Sequence, residues 1–232
     1  MYNILNWNTA LTEDNRYLDK IAEYIRVYLN TENAIAILQQ IPYKDPCNNW
    51  EYHYVYNRLK EVFPENEYTW KMNNFFNNGY IFMQTVLITK IKMIKECGSS
   101  IYPNTEATNR EIAAYVDDKF SILGIHARNG KDNLAYIQQI KGGADIIVGD
   151  FNAGDYAEYP YCKEYRKILD SHVCICNIPT KEIYSSSGVL LRKSCIDHIY
   201  IKRNMVDKCE NMIVHDKVKF SDHYPITFCL NI

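Results

Sequence analysis

The stretch Asp145-Ile146-Ile147-Val148-Gly149-Asp150-Phe151-Asn152-Ala153-Gly154 constrains this chain most, because an apolar run stops abruptly there at an acid and an amide. The run over 146–148 is too short for a helix and reads as a buried strand, with Gly149 letting the backbone turn at its end. Asp150 and Asn152 then project on one side of the exit, where a hard metal ion or a phosphate oxygen can be met. An Asx turn closing a core strand gives the same local pattern, so other parts of the chain must separate the two readings.

A chain of 232 residues with 47% hydrophobic content can bury one substantial core. No Pro/Gly/Ser-rich linker, low-complexity run or internal repeat divides it, so one domain over 1–232 is expected. A net charge of −2 provides no global basic field of the kind that drives nonspecific nucleic-acid binding. Any site for a polyanion must then be local or metal-assisted. Eight cysteines would suit an exported disulfide scaffold. However, no signal peptide is recognisable, because Met1-Tyr2-Asn3-Ile4-Leu5 leads directly into a strand. Cys229 lies inside an apolar run, and Cys174-Ile175-Cys176 lacks a second pair at zinc-site spacing. Reduced thiols in the cytoplasm are expected. The longest apolar runs fall short of a membrane span, so no membrane partner is expected.

Periodicity predicts strands over 2–7, 34–38, 80–88, 90–94, 111–116, 120–126, 173–176, 196–201, 212–214 and 226–230. Helices are predicted over 13–29, 50–62, 133–140 and 161–169, the second carrying Tyr54, Leu59 and Val62 inward. Strands 80–88 and 90–94 are expected to pair, as are 111–116 and 120–126. Strands that both alternate with helices and form hairpins point to mixed sheets packed face to face with helices outside.

Several apolar runs finish on polar groups of one chemical kind. Asn8, Gln40, His126, Asp150 with Asn152, Asp197 with His198, and Asp222 with His223 all lie at or beside such an end. Each alone could be a surface polar residue. Converging, they would build a polar pocket at one edge of a sandwich.

Asn6-Trp7-Asn8, Leu38-Gln39-Gln40, Ile125-His126, Gly149-Asp150-Phe151-Asn152, Cys195-Ile196-Asp197-His198-Ile199 and Ser221-Asp222-His223-Tyr224-Pro225 together resemble the endonuclease/exonuclease/phosphatase family, in its order and rough spacing. The last of these, with Gly149-Asp150-Phe151-Asn152-Ala153, is most similar to the deoxyribonuclease I branch. The resemblance runs from Asn6 almost to the C-terminus. It implies a four-layered α/β sandwich of two mixed, mainly antiparallel sheets with outer helices, and Mg²⁺- or Mn²⁺-dependent hydrolysis of a phosphoester.

By the same resemblance, Asn8 and Asp222 are metal-site residues, and Gln40 stands where the family has its metal-binding Glu. Asp150 would orient or deprotonate the attacking water, and Asn152 would hydrogen-bond the phosphate. His223 would contact the phosphate, oriented by Asp197, with His126 near the leaving oxygen. Arg110, before Glu111, resembles a phosphate contact; a solvated arginine at a strand start is the other reading. This set agrees with the chemistry, since hydrolysis accumulates charge on the phosphoryl oxygens and benefits from a cation, donors and a carboxylate beside the water. Oxygen-rich ligands favour Mg²⁺ or Mn²⁺ over zinc.

Two positions depart from the family. Gln40 offers the metal a neutral carbonyl oxygen in place of a charge, which predicts weakened Mg²⁺ binding and a large loss of rate. It fits either a natural, weakly active member or a deliberate Glu-to-Gln exchange made to trap a substrate complex, and the near-isosteric change favours the second. Asn78 falls where the deoxyribonuclease I branch has an acid supporting its second histidine. The expected function is a metal-dependent nuclease acting on DNA or RNA as a monomer. Trp70, Lys71, Phe75, Phe76 and Tyr80 would either edge a nucleic-acid groove or lie in the core. The alternatives are a phosphatase or phosphodiesterase acting on a small or lipid substrate, and a phosphate-binding interaction module.

Overall fold

A computed structural model describes residues 1–42, 50–72, 83–92, 94–96, 110–128, 133–152 and 160–232. The apolar run that stops at Asp150 forms a strand, β8, over Ile146–Asp150. In chain order the strands before it are β1 (Tyr2–Asn8), β2 (Ala34–Pro42), β3 (Thr69–Met72), β4 (Met83–Thr89), β5 (Ile94–Glu96), β6 (Glu111–Val116) and β7 (Phe120–His126). After it come β9 (His172–Cys174), β10 (Lys181–Tyr184), β11 (Leu190–Ser194), β12 (Asp197–Lys202), β13 (Cys209–Val214) and β14 (Ile226–Leu230). Among the described residues, α-helices cover Leu18–Leu29 (α1), Trp50–Val62 (α2), Asn133–Gln139 (α3) and Pro160–Ile168 (α4), and a 3-10 helix covers Arg203–Lys208.

One six-stranded sheet runs β13-β14-β1-β2-β4-β3 and the other β5-β6-β7-β8-β12-β9, with β10 and β11 as a separate hairpin. The β1/β2 and β7/β8 pairs are parallel and the remaining pairs antiparallel. Side-chain alternation along the strands assigns the layers. Ile35 and Ile37 of β2 meet Ile112, Ile122, Ile146 and Val148 of the opposite sheet in the central core. Ala36 and Leu38, one residue out of phase, pack on Ile21 and Ile25 of α1 and on Val55 and Leu59 of α2. Leu123, Ile125 and Ile147 turn outward against Ile137 of α3 and Tyr165 of α4. The expected four-layered sandwich is thus formed, with both inner strand faces apolar.

The structure corrects several local expectations. The first helix begins at Leu18, not residue 13. Ala10 has a left-handed backbone (φ 52), and Asp14 Oδ1 accepts the Arg16 backbone N–H at 3.0 Å, holding the chain in turns ahead of the helix. Tyr54 is 51% exposed, and Val55 and Tyr56 join the expected Leu59 in the buried stripe of α2, with Val62 packed against it. β4 pairs with β2 and with β3, a strand that periodicity did not reveal, while β5 joins β6 in the other sheet. Trp70 packs near Phe63 and gives its indole N–H to the Phe63 carbonyl at 2.8 Å, on a side chain that stays partly exposed. Phe75, Phe76, Asn78 and Tyr80 lie outside the described residues.

Gly149 is an interior residue of β8, not a turn after it. Its φ is +150°, and a Cβ there would stand 1.9 Å from the Ile125 carbonyl oxygen. Only glycine lets β7 and β8 approach this closely. The approach matters because the next residue on β8 is Asp150.

Candidate active site

Three neighbouring strands deliver the centre of the site in register. His126 at the end of β7 pairs with Asp150 at the end of β8, and Asp150 pairs with Asp197 at the start of β12. In each case the apolar alternation that buries the strand stops at a polar residue, and the row runs across the sheet edge at the usual spacing between strands.

The facing sheet supplies the rest. Asn8, at the end of β1, donates its amide N–H to Asp150 Oδ2 at 2.9 Å, while its own Oδ1 accepts the Ala10 backbone N–H at 3.1 Å. The segment 221–223 is tied to β1, with the Ser221 hydroxyl donating to the Asn8 carbonyl at 2.9 Å and the Trp7 indole N–H donating to the His223 carbonyl at 3.0 Å. His223 then stands between the sheets, its Nδ1 3.1 and 2.9 Å from the two oxygens of Asp197. Its Nε2 points the other way, 3.7 Å from Asp150 Oδ2 and 3.9 Å from Asp222 Oδ1, with no hydrogen-bond partner. His126 Nε2 lies 3.8 Å from the same Asp150 oxygen. A buried nitrogen without a partner beside a carboxylate, as His223 Nε2 is, marks a space that a polar ligand would complete.

The two histidines are electrically unlike. Burial drives the His126 imidazole down to about 2, and the Arg110 and His223 charges reinforce this, so it is neutral. Burial also opposes a charge on His223, but Asp197 and Asp150 outweigh it and raise the imidazole above its ordinary value. Burial raises the Asp150 carboxyl, with Asp197 adding to it and His223 pulling against it. A proton is therefore held in the Asp150–His223 gap more tightly than either group would hold one in water.

Asn152 adopts φ 49 just past β8. Its backbone N–H donates to Asp150 Oδ1 at 2.7 Å and its side-chain amide donates to the Ala127 carbonyl at 2.8 Å. The Asx turn is thus real, and it coexists with the site. Arg110 crosses the end of β7, donating to the His126 carbonyl at 2.9 Å and the Ala127 carbonyl at 3.3 Å. Its guanidinium is depressed by burial, against the attraction of Asp150. Gln40 sits at a bulge of β2 between Leu38 and Ile41 with φ 55, a costly backbone for a non-glycine residue. Its amide nitrogen donates to Thr12 Oγ1 at 3.2 Å and to Glu13 Oε1 at 2.8 Å. His198 alternates away from Asp197 and packs edge-on against Phe151, so it takes no part in the pocket.

Two contributors escaped the sequence reading. Thr180 donates its hydroxyl to Asp197 Oδ2 at 2.6 Å and accepts the backbone N–H groups of Ile196 and Asp197 at 3.2 and 3.0 Å. Lys181 places Nζ 2.9 Å from Asp222 Oδ2. Both belong to the start of the β10/β11 hairpin, reach the site only through the fold, and carry no local signal beyond the preceding Pro179.

Asp150, Asp197 and His223 bring ligand atoms within 4.8 Å of one another, all from buried residues. Two carboxylates and an imidazole in that space fit a divalent cation, and the orphaned His223 Nε2 leaves room for a further group. Among the described residues, no helix is long and apolar enough to cross a membrane.

No protein-family model and no curated protein matches the sequence. Solved structures do match over the whole chain. The endonuclease domain of TRAS1, a telomere-specific non-LTR retrotransposon, is 16% identical with a TM-score of 0.70, over 100% of this chain and 99% of that one. A variant of the 3′ phosphatase NExo from Neisseria, bound to product DNA hairpin, is 13% identical with a TM-score of 0.67, covering 100% of both chains. An endonuclease/exonuclease/phosphatase family protein from Leptotrichia buccalis is 16% identical with a TM-score of 0.63, again over 100% of both. Two six-stranded mixed sheets, outer helices and these likenesses together identify the chain as a protein of the endonuclease/exonuclease/phosphatase fold.

Proposed function

We propose that this protein is a divalent-metal-dependent phosphodiester hydrolase acting on a nucleic-acid backbone. The observation that carries the reading is the buried convergence on Asp150 Oδ2 of the unpartnered His223 Nε2 at 3.7 Å and of His126 Nε2 at 3.8 Å. A water or a phosphoryl oxygen that bridged these atoms from one side would meet a carboxylate and two imidazoles. The endonuclease domain and the DNA-bound 3′ phosphatase of the same fold favour nucleic acid as the substrate.

The site residues take distinct roles in this reading. Asp150 accepts the proton of the attacking water, whose oxygen bonds to phosphorus as the ester P–O bond breaks. His223, kept protonated by Asp197, donates to a non-bridging oxygen where charge develops. His126, neutral in the free site, orients the leaving oxygen, which picks up its proton from solvent. The Asn152 amide and the Arg110 guanidinium would add donors to the phosphate after turning from the Ala127 carbonyl that both serve. A Mg²⁺ or Mn²⁺ ion held by Asp222, Asn8 and Gln40 would supply Lewis-acid polarisation of the phosphoryl oxygen. Gln40 brings no charge to it, so slow turnover is expected from the chain as it stands.

Incubation of the protein and of its Gln40→Glu variant with labelled single- and double-stranded DNA, RNA and a phosphomonoester, with Mg²⁺ or chelator, tests this reading. It predicts metal-dependent cleavage of a polynucleotide, faster in the variant. Turnover confined to the phosphomonoester would move the protein to the phosphatases. No gain in the variant would count against an origin of Gln40 by deliberate exchange.

A further inference from the structure

The pocket contains a cation that its motifs do not announce. Lys181 is fastened to the motif carrying Asp222 and His223 by the backbone itself. It forms a β-bridge with His223, the Tyr224 N–H donates to the Thr180 carbonyl at 2.6 Å, and the Glu182 N–H donates to the Asp222 carbonyl at 2.8 Å. Its ammonium, on a side chain 27% exposed, pairs with Asp222 Oδ2 at 2.9 Å. Its charge also acts on Asp150, Asp197, His126 and His223. Beside it lies His223 Nε2, on a side chain 1% exposed and without a partner, 3.9 Å from the other oxygen of Asp222.

We propose that Lys181 is a phosphate-binding residue that Asp222 holds in reserve, and that a divalent ion releases it by taking that carboxylate. The inference rests on the hydrolase reading above and adds to it a coupling between ion and substrate. An ammonium and a divalent ion cannot share one partly buried carboxylate without strong mutual repulsion. Lys181 has three donors on a flexible four-carbon stem. When it leaves Asp222, the non-bridging oxygen of a phosphodiester is the anion that can receive it. A phosphate that draws Lys181 away also vacates Asp222 for the ion, so each ligand raises the other's affinity by the same factor.

The test is Mn²⁺ affinity, read from the electron paramagnetic resonance of the free ion, with and without dimethyl phosphate. It is made on the intact chain and on Lys181→Met and Lys181→Arg, with thermal unfolding to confirm that each is folded. Lys181→Met is expected to bind Mn²⁺ more tightly than the unaltered chain when phosphate is absent, because the competing cation is gone. The factor by which dimethyl phosphate tightens Mn²⁺ binding is expected to be about 5-fold smaller in Lys181→Met and retained in Lys181→Arg. Equal or weaker Mn²⁺ binding by a folded Lys181→Met, or an unchanged coupling factor, would overturn the proposal. If the unaltered chain then still cleaved DNA with Mn²⁺, the hydrolase reading would stand without it. A chain that bound no Mn²⁺ would overturn both.

Discussion

Asp197 holds His223 Nδ1 with both carboxylate oxygens, at 3.1 and 2.9 Å, and each side chain is only 1% exposed. Asp197 and Asp150 keep the imidazole protonated above its ordinary value despite burial. If His223 works as the charged donor, the alkaline limb of kcat/KM lies above pH 6.5, and the acid limb set by the raised Asp150 lies above the usual carboxylate range. Asp197→Asn is expected to move the alkaline limb to lower pH and to cut kcat/KM about 100- to 10,000-fold. A profile with an unmoved alkaline limb would remove Asp197 from this role. The stability consequence has a definite sign. A group with a raised folded-state pKa contributes fully below the unfolded value, near 6.5 for histidine, and loses that contribution as pH rises through the folded value. The stability gap between the unaltered chain and Asp197→Asn should therefore be widest below pH 6.5 while the carboxylates stay ionised, and narrow as pH rises through the raised His223 value.

Gln40 donates to Glu13 Oε1 at 2.8 Å, so a carboxylate at position 40 would face another carboxylate. Gln40→Glu should lower the metal-free melting temperature by a few degrees, corresponding to about 1 kcal/mol, and excess Mg²⁺ should recover most of the loss. Adding Glu13→Gln should relieve the metal-free penalty. Calorimetry with and without Mg²⁺ checks this, and a Gln40→Glu protein whose melting ignored Mg²⁺ would show that position 40 does not face the ion.

Gly149→Ala places a Cβ 1.9 Å from the Ile125 carbonyl oxygen, on backbone at φ +150°. The parallel β7/β8 pair would have to part, at a cost on the order of 4 kcal/mol or more. Urea unfolding measures it, and a cost under about 1 kcal/mol would show that the strands can separate cheaply.

Thr180→Val keeps the shape of the side chain but removes the hydroxyl that serves Asp197 Oδ2 and two backbone N–H groups. Three buried polar groups then lose a partner, for about 1–3 kcal/mol of stability. Because Asp197 would also be freer to turn from His223, kcat is expected to fall more than KM rises. A variant with normal kcat would make Thr180 purely structural.

What the sequence disclosed depended on how local each signal was. Asp150 and Asn152, Asp197, and Asp222 with His223 were visible because an acid or amide interrupting an apolar strand is a pattern of adjacent residues. The register of His126, Asp150 and Asp197 across β7, β8 and β12 followed once those strands paired. Thr180, Lys181 and Glu13 were not visible, since each reaches the site through pairing of segments distant in the chain, and each looks like an ordinary surface residue in its own neighbourhood. Gly149 was noticed, but its purpose was misread. A glycine before a polar pair suggests a turn, whereas the requirement comes from the neighbouring strand pressing on it. The early helix start failed for a related reason, because Glu13 and Asp14 suit a helical first turn while their side chains are taken up by Gln40 and Arg16.

The proposed metal-assisted phosphodiester hydrolysis depends on Asp150 as its central carboxylate. Its most direct test is the rate at which the Gln40→Glu chain, with and without a second change of Asp150→Asn, cuts an end-labelled DNA duplex in Mg²⁺ and in chelator. The predicted result is cleavage that requires Mg²⁺ and falls at least about 100-fold in the double variant. Cleavage that survives the loss of Asp150, or that proceeds equally in chelator, would contradict it.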